Sequence, residues 1–148
     1  MSEMILTDEM KKVLDIVDNT EENIFVTGKA GAGKTTFLKY LIGHTKKKYV
    51  VAAPTGVAAI NAGGVTLHSL FGIPFGPITP YDQLDNRFST WKHEMLLSLE
   101  LLIIDEISMV RPDVLDTIDR KLRWICETDE PFGGKQVIMF GDLFQLPP

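Results

Sequence analysis

Cys126 is the only cysteine in this chain of 148 residues. No disulfide can close within it, and the expected setting is a reducing cytosol. Histidine is also scarce. His44, His68 and His93 are scattered, and with one cysteine they offer no spacing of the kind a zinc site needs. No apolar run approaches the roughly 20 residues of a membrane-spanning helix, so no membrane partner is expected. The first residues, Met-Ser-Glu-Met-Ile, lack the basic and long apolar regions of a secretory signal. Positive charge is in deficit, with 15 Lys and Arg against 20 Asp and Glu, a net of −5. That argues against a surface broadly coated by nucleic acid, while leaving room for a local groove built partly from backbone amides. Repeats and low-complexity segments are absent.

What remains is an ordinary globular composition, 45% hydrophobic and 24% charged, and a length that suits one domain. Its centre is the stretch from Asn23 to Gly43. GKAGAGKT, from Gly28 to Thr35, fits Gly-x-x-x-x-Gly-Lys-Ser/Thr, the phosphate-binding loop. Ile24, Phe25 and Val26 before it read as a buried strand. Phe37, Leu38, Leu41 and Ile42 after it share a helical face, and Gly43 is positioned to end that helix. Glycines at 28, 31 and 33 let backbone N–H groups crowd around phosphate oxygens. The helix start adds unpaired N–H groups and its positive dipole end. Lys34 can bridge β- and γ-phosphates, and the Thr35 hydroxyl can hold Mg²⁺. A chance glycine-rich turn would not need this strand and helix around it.

Along the rest of the chain, strands alternate with helices. Leu6 to Asp18 reads as a helix with Thr7 as N-cap and Met10, Val13, Leu14 and Val17 on one face. Lys46 to Lys48 reads as a solvated loop. Tyr49 to Ala53 reads as a strand, followed by a turn at Pro54, Thr55 and Gly56 and a short helix from Val57 to Asn61 that Gly63 and Gly64 break. Thr66 to Phe71 reads as one or two helical turns. Residues 72–81, with prolines at 74, 77 and 80, form a loop. Asp82 to Ser98 reads as helical, with Trp91, Met95 and Leu96 on one face. Glu100 to Ile104 is a doubly buried strand. Pro112 opens a helix carrying Val114, Leu115, Ile118, Leu122 and Ile125. Thr128 to Lys135 is a loop, and Gln136 to Phe140 is a fourth strand. The implied fold class is α/β, a mostly parallel sheet with helices on both faces. Ligands then gather beyond the carboxyl ends of the strands, where Gly28, Pro54, Asp105 and Asp142 all fall.

Two further groups join the phosphate loop there. Asp105 closes a buried strand and can hold Mg²⁺ opposite Thr35, while Glu106 can orient or deprotonate water. By themselves they would be two solvated acids; their place after a phosphate loop argues for the metal and the base. Gln145, in GDLFQLPP, is either a sensor of the γ-phosphate or an amide in a proline-bounded turn.

Taken in order, GKAGAGKT, APTGVAAINAGGVTLHSLF (Ala53–Phe71), LLIIDEISMV (Leu101–Val110) and GDLFQLPP (Gly141–Pro148) resemble the first motor domain of superfamily-one DNA helicases, and most of all the Pif-type helicases of the RecD-like branch. The resemblance covers nearly the whole chain. It implies a RecA-like P-loop NTPase fold over residues 1–148, with a second motor domain outside them. It implies an enzyme that uses ATP and Mg²⁺ to move five-prime-to-three-prime along single-stranded DNA, as a monomer, in the bacterial cytosol or nucleoid. The nucleotide cradle would be Gly28, Lys29, Ala30, Gly31, Ala32, Gly33, Lys34, Thr35 and Thr36. Lys34, Glu106 and Gln145 would be catalytic, and Thr35 and Asp105 would hold the metal. Pro54, Thr55, Gly56, Thr66, His68 and Ser69 would contact the DNA backbone, although a structural histidine is the plain alternative for His68.

Two departures stand out. Met10 occupies the place of the family's usual adenine-reading glutamine, which a thioether cannot replace. Arg87, Arg111, Arg120 and Arg123 are the only arginines, and none falls in the phosphate loop or at the ends of the strands that carry Asp105 and Gln145. The charge that stabilises phosphoryl transfer would therefore come from the second motor domain. Rival readings are another P-loop kinase or GTPase, though no Asn-Lys-x-Asp guanine motif occurs, and a non-catalytic nucleotide-dependent interaction module, which would have no use for Glu106.

Overall fold

The computed structural model describes residues 8–28, 32–74 and 88–142. Thr7, Lys29, Ala30, Gly31, the loop at 75–80 and Gln145 lie outside them. Five parallel strands make one sheet: β1 (Ile24–Gly28), β2 (Tyr49–Ala53), β3 (Val65–Thr66), β4 (Leu101–Ile104) and β5 (Gln136–Asp142). Their order is β1-β5-β4-β2-β3, every neighbouring pair being parallel. The helices are α1 (Asp8–Asn19), α2 (Ala32–His44), α3 (Gly56–Ala62), α4 (Leu67–Phe71), α5 (Thr90–Ser98) and α6 (Pro112–Cys126).

β4 shows why this chain folds as layers. Leu101, Leu102, Ile103 and Ile104 are all fully buried. Successive side chains point to opposite faces of a strand. Leu101 and Ile103 join one core with Phe37, Leu38, Leu41 and Val17 from α2 and α1. Leu102 and Ile104 join the other with Leu70, Leu96, Ile118 and Leu122 from α4, α5 and α6. Each such side chain contributes about 1.5–3 kcal/mol on burial, enough in sum to fix the register. Met10, Val13 and Leu14 pack on the α1–α2 side as their spacing requires. Met10 is therefore a packing residue, as its chemistry demands.

The structure departs from the sequence reading in several places, first at β1, which stands at the end of the strand order and leaves Phe25 57% exposed rather than buried. α2 runs through Gly43 to His44, because an isolated glycine costs a helix only about 1 kcal/mol. A fifth strand appears at Val65–Thr66, pairing with Ala52 and Ala53; two residues are too few to show a period. Helix α4 starts at Leu67, and Thr66 caps it rather than belonging to it. Of the helix read from Asp82 to Ser98, residues 82–87 lie outside the described residues, and α5 starts at Thr90 with Ser89 as its N-cap. Trp91 is 73% exposed, so only Met95 and Leu96 of the expected face pack inward. The loop at Thr128 to Lys135 contains a 3₁₀ turn at Pro131–Gly134.

Lys47 is not a solvated loop residue either. Its ammonium donates to the Thr20 carbonyl at 2.7 Å and to Gln136 Oε1 at 2.8 Å, while the Gln136 amide donates to the Glu22 carbonyl at 2.7 Å. These bonds tie the amino ends of β1 and β5 together, opposite the edge where the candidate site lies.

The two glycines after α3 have different tasks. Gly63 takes the left-handed conformation, φ 72°, and its N–H caps the helix. Gly64 lies against the Val51 backbone, where a Cβ would collide with the carbonyl oxygen. That close approach lets the chain turn directly from α3 into β3.

Candidate nucleotide and DNA site

Register places the carboxyl ends of four strands along one edge. Gly28 pairs with Asp142, Ile104 with Met139, and Ala52 with Ile104. β1 ends at Gly28 and α2 begins at Ala32, so the phosphate loop spans the gap between a strand end and a helix start, as its sequence requires. The Lys34 ammonium reaches across to the end of β4. It lies 3.0 Å from Glu106 Oε1 and 3.6 Å from Asp105 Oδ1. The three side chains are 13%, 22% and 12% exposed. Burial works against the charge on Lys34, but hydrogen bonding to Glu106 and the nearby Asp105 charge outweigh it and hold the ammonium above its ordinary value of 10.5.

Asp105 is oriented by its own backbone. Its N–H donates to the Ala52 carbonyl at 2.9 Å, and its Oδ1 accepts from the Glu106 N–H at 3.0 Å. Glu106 sits at φ 55°, ψ 48°, a left-handed conformation that costs a non-glycine residue roughly 1–2 kcal/mol. This turn stops β4 and swings the Glu106 carboxylate towards Lys34.

Thr35 stands exposed and Thr36 half-buried beside Lys34. Hydroxyl and carboxylate oxygens, from Thr35 and Asp105, are hard donors that suit Mg²⁺. Among the described residues, no group of three or more His, Cys, Asp or Glu comes together to cage a metal.

The second group of candidate residues collects beside the first. Pro54, Thr55 and His68 line a cavity of about 200 Å³ with Leu67, Met109, Val110, Arg111 and Val114. Thr55 and Thr66 carry local duties. The Thr55 hydroxyl accepts from the Ala58 N–H and the Thr66 hydroxyl from the Ser69 N–H, each at 3.1 Å, which caps α3 and α4. Each hydroxyl still has its own proton to donate. Gly56 opens α3 and is exposed, as is Ser69, whose carbonyl accepts from Lys92 Nζ at 2.8 Å. Gly56, Thr66 and Ser69 do not line the cavity. His68 is held below its ordinary pKa of 6.5 by burial and then by the Arg111 charge, with Asp113 opposing. At neutral pH its imidazole is uncharged.

Sequence reasoning passed over Met109 and Arg111. They follow Asp105 by only a few residues, but nothing in their spacing says that the chain leaving β4 through the 3₁₀ turn at Ile107–Met109 brings them to the cavity of Leu67 and His68. Arg111 is oriented by Asp113, Nε to Oδ1 at 3.1 Å, and is 46% exposed. It faces the Thr55–His68 group.

Comparison with known proteins agrees with this geometry. The model of the PIF1-like helicase family matches residues 5–148. The chain is 39% identical to the ATP-dependent DNA helicase RRM3 of Saccharomyces cerevisiae, over 99% of this chain and 21% of that protein. It is 43% identical to the ATP-dependent DNA helicase PIF1 of Danio rerio, over 97% and 22%. A Bacteroides sp Pif1 in complex with ADP-AlF4 superposes with a TM-score of 0.92 at 75% identity, covering 99% of this chain and 34% of that one. A Bacteroides Pif1 bound to ssDNA gives 0.90 at 74%, with coverage of 99% and 34%. The chain thus spans about a fifth of these curated relatives and a third of these solved chains. By its family model, its fold and the order of its site residues, the chain belongs to the PIF1-like helicase family.

Proposed function

We propose that this chain is the ATP-binding motor domain of a DNA helicase, which in the full-length protein hydrolyses ATP with Mg²⁺ and moves five-prime-to-three-prime on single-stranded DNA. The observation that carries the reading is the meeting of Lys34, Asp105 and Glu106 at one strand edge, beside the cavity of Pro54, Thr55 and His68. Relatives that are ATP-dependent DNA helicases, and a Bacteroides Pif1 solved with ADP-AlF3 and ssDNA, support it.

In this reading the backbone from Gly28 to Thr36 cradles the phosphates, and Lys34 leaves the acids to neutralise the β- and γ-oxygens. Thr35 and Asp105 would hold Mg²⁺, which would offset charge on the transferring phosphoryl group. Glu106, freed from Lys34, takes the proton of the attacking water. Gln145 senses the γ-phosphate. Thr55 donates its hydroxyl proton to the DNA backbone, with Gly56, Thr66 and Ser69 along the same strand. The stabilising arginine comes from the second motor domain. The translocating unit is one molecule, in a bacterial cytosol or nucleoid. A second copy would join at a fork, as two coordinating Pif1 helicases do at forked dsDNA.

Steady-state ATP hydrolysis by the full-length protein, with and without single-stranded DNA, tests this. Turnover stimulated by DNA and abolished by Lys34→Ala is expected. DNA-independent turnover, phosphate transfer to a small acceptor, or nucleotide binding without hydrolysis would favour one of the rival classes instead.

A further inference from the structure

The cavity beside the acids has the wrong chemistry for a phosphate and the right chemistry for a ring. Leu67, Val110, Val114, Pro54 and Met109 supply most of its wall. An anion gains nothing from such a lining and loses its hydration. The polar members are Thr55, His68 and Arg111. His68 is uncharged at neutral pH, so it adds no positive charge to meet a phosphate. Arg111 is the cation of the group, and it is already paired with Asp113. Guanidinium and imidazole planes both stack on π-systems, and a thioether packs against ring edges. The volume, about 200 Å³, is several times the roughly 30 Å³ share of one water. It falls below the roughly 300–1,000 Å³ of a site that encloses a whole drug-sized ligand. One heterocycle fits those bounds, with its sugar and phosphate left outside.

We propose that this cavity receives one nucleobase of the bound single strand, turned inwards between Met109 and His68 while its flanking phosphates run past Thr55. The inference rests on the DNA-contacting reading of Thr55 and His68 and adds a base-binding subsite to it. The wall is tied to the nucleotide site by a short path: Met109 and Val110 follow Glu106 through a single 3₁₀ turn, whose Met109 N–H donates to the Glu106 carbonyl at 3.0 Å. The base pocket and the catalytic acid are thus two ends of one turn. Recognition here would be by shape and stacking, tolerant of sequence, as a translocating motor needs.

Met109 is the residue to change, since it is 53% exposed and its loss should not unfold the core. In the full-length protein, oligo-dT carrying a single abasic site would be scanned through the binding site, position by position, against wild type and Met109→Glu. Circular dichroism would establish that both are folded. The expected result is one position where the abasic site lowers wild-type affinity at least about fivefold, the lower end of what one stacked base contributes. Met109→Glu should show no such loss at that position, because its pocket no longer holds the base. A 2-aminopurine at the same position should change fluorescence on binding to wild type and not to the variant. Three outcomes would overturn the proposal. No abasic position matters although DNA binds tightly, which leaves the helicase reading intact. The positional loss persists in Met109→Glu, which places the stacked base elsewhere. Or neither strand binds at all, which removes the DNA reading and the pocket with it.

Discussion

Glu106→Gln separates two tasks that the proposed function gives to one carboxylate. Its Oε1 lies 3.0 Å from Lys34 Nζ, and the lysine must leave it before it can reach a phosphate. Unit charges about 3 Å apart attract by roughly 5 kcal/mol at an effective dielectric of 20. Desolvation and side-chain ordering cancel much of that, and hydrogen bonds to charged groups contribute about 1.5–3 kcal/mol net. Asp105, at 3.6 Å, keeps part of the hold when Glu106 is neutralised. About 1 kcal/mol of tether is therefore released, and nucleotide should bind up to about fivefold tighter. Glutamine tolerates the φ of 55° no worse than glutamate does, so the turn should survive. Hydrolysis should fall by about 10²–10⁴, the contribution of a positioned base. Titration with a fluorescent ATP analogue and single-turnover hydrolysis, both on the full-length protein, read the two effects separately. Affinity reduced more than threefold, or turnover within tenfold of wild type, would refute the reasoning.

Other consequences are testable on stability and binding. Gly64→Ala drives a Cβ into the Val51 carbonyl and should cost about 1–3 kcal/mol as an overpacked contact; a melting temperature equal to wild type would remove the close approach as the reason for that glycine. Thr55→Ala should lose about 1 kcal/mol by uncapping α3, whatever it does to DNA, whereas Thr55→Ser keeps both the cap and the donor; if Thr55→Ser melts as low as Thr55→Ala, the cap is not what the hydroxyl supplies. His68 titrates below 6.5 when folded, so between 6.5 and that lower value the unfolded chain binds the proton and the native one does not. Its contribution is complete above 6.5 and is lost as the pH falls from there. Denaturant melts at pH 7.5 and 5.5 should show a smaller difference for His68→Asn than for wild type, and an equal difference would contradict the assignment.

Much of this was legible in the sequence because the signals are local. The continuous apolar run from Leu101 to Ile104, in a chain where strands alternate with helices, reads as a strand buried on both faces, and both faces are filled. Gly28, Pro54 and Asp105 each follow an apolar run, and parallel order then obliges them to share an edge. The reading of Trp91 failed because Trp91 and Leu96 stand five residues apart, about 140° around the helix, so the face that buries Leu96 does not bury Trp91. Trp91 points outwards at 73% exposure while its neighbour Leu96 is fully buried.

The sequence by itself determined the sheet class, the phosphate loop and the identity of the two acids, since these depend on residue type, short spacing and chain order. Only the tertiary structure decided what touches what. The contact of Lys34 with Glu106 crosses 72 residues, from β1's loop to β4's end. The Lys47–Gln136 bond crosses 89. The wall of Met109 and Arg111 against His68 depends on a left-handed Glu106 that turns the chain after β4. Such contacts come from strand order and helix packing. No local pattern encodes them, because burial of apolar area rewards any arrangement that excludes water, and only the assembled core selects one.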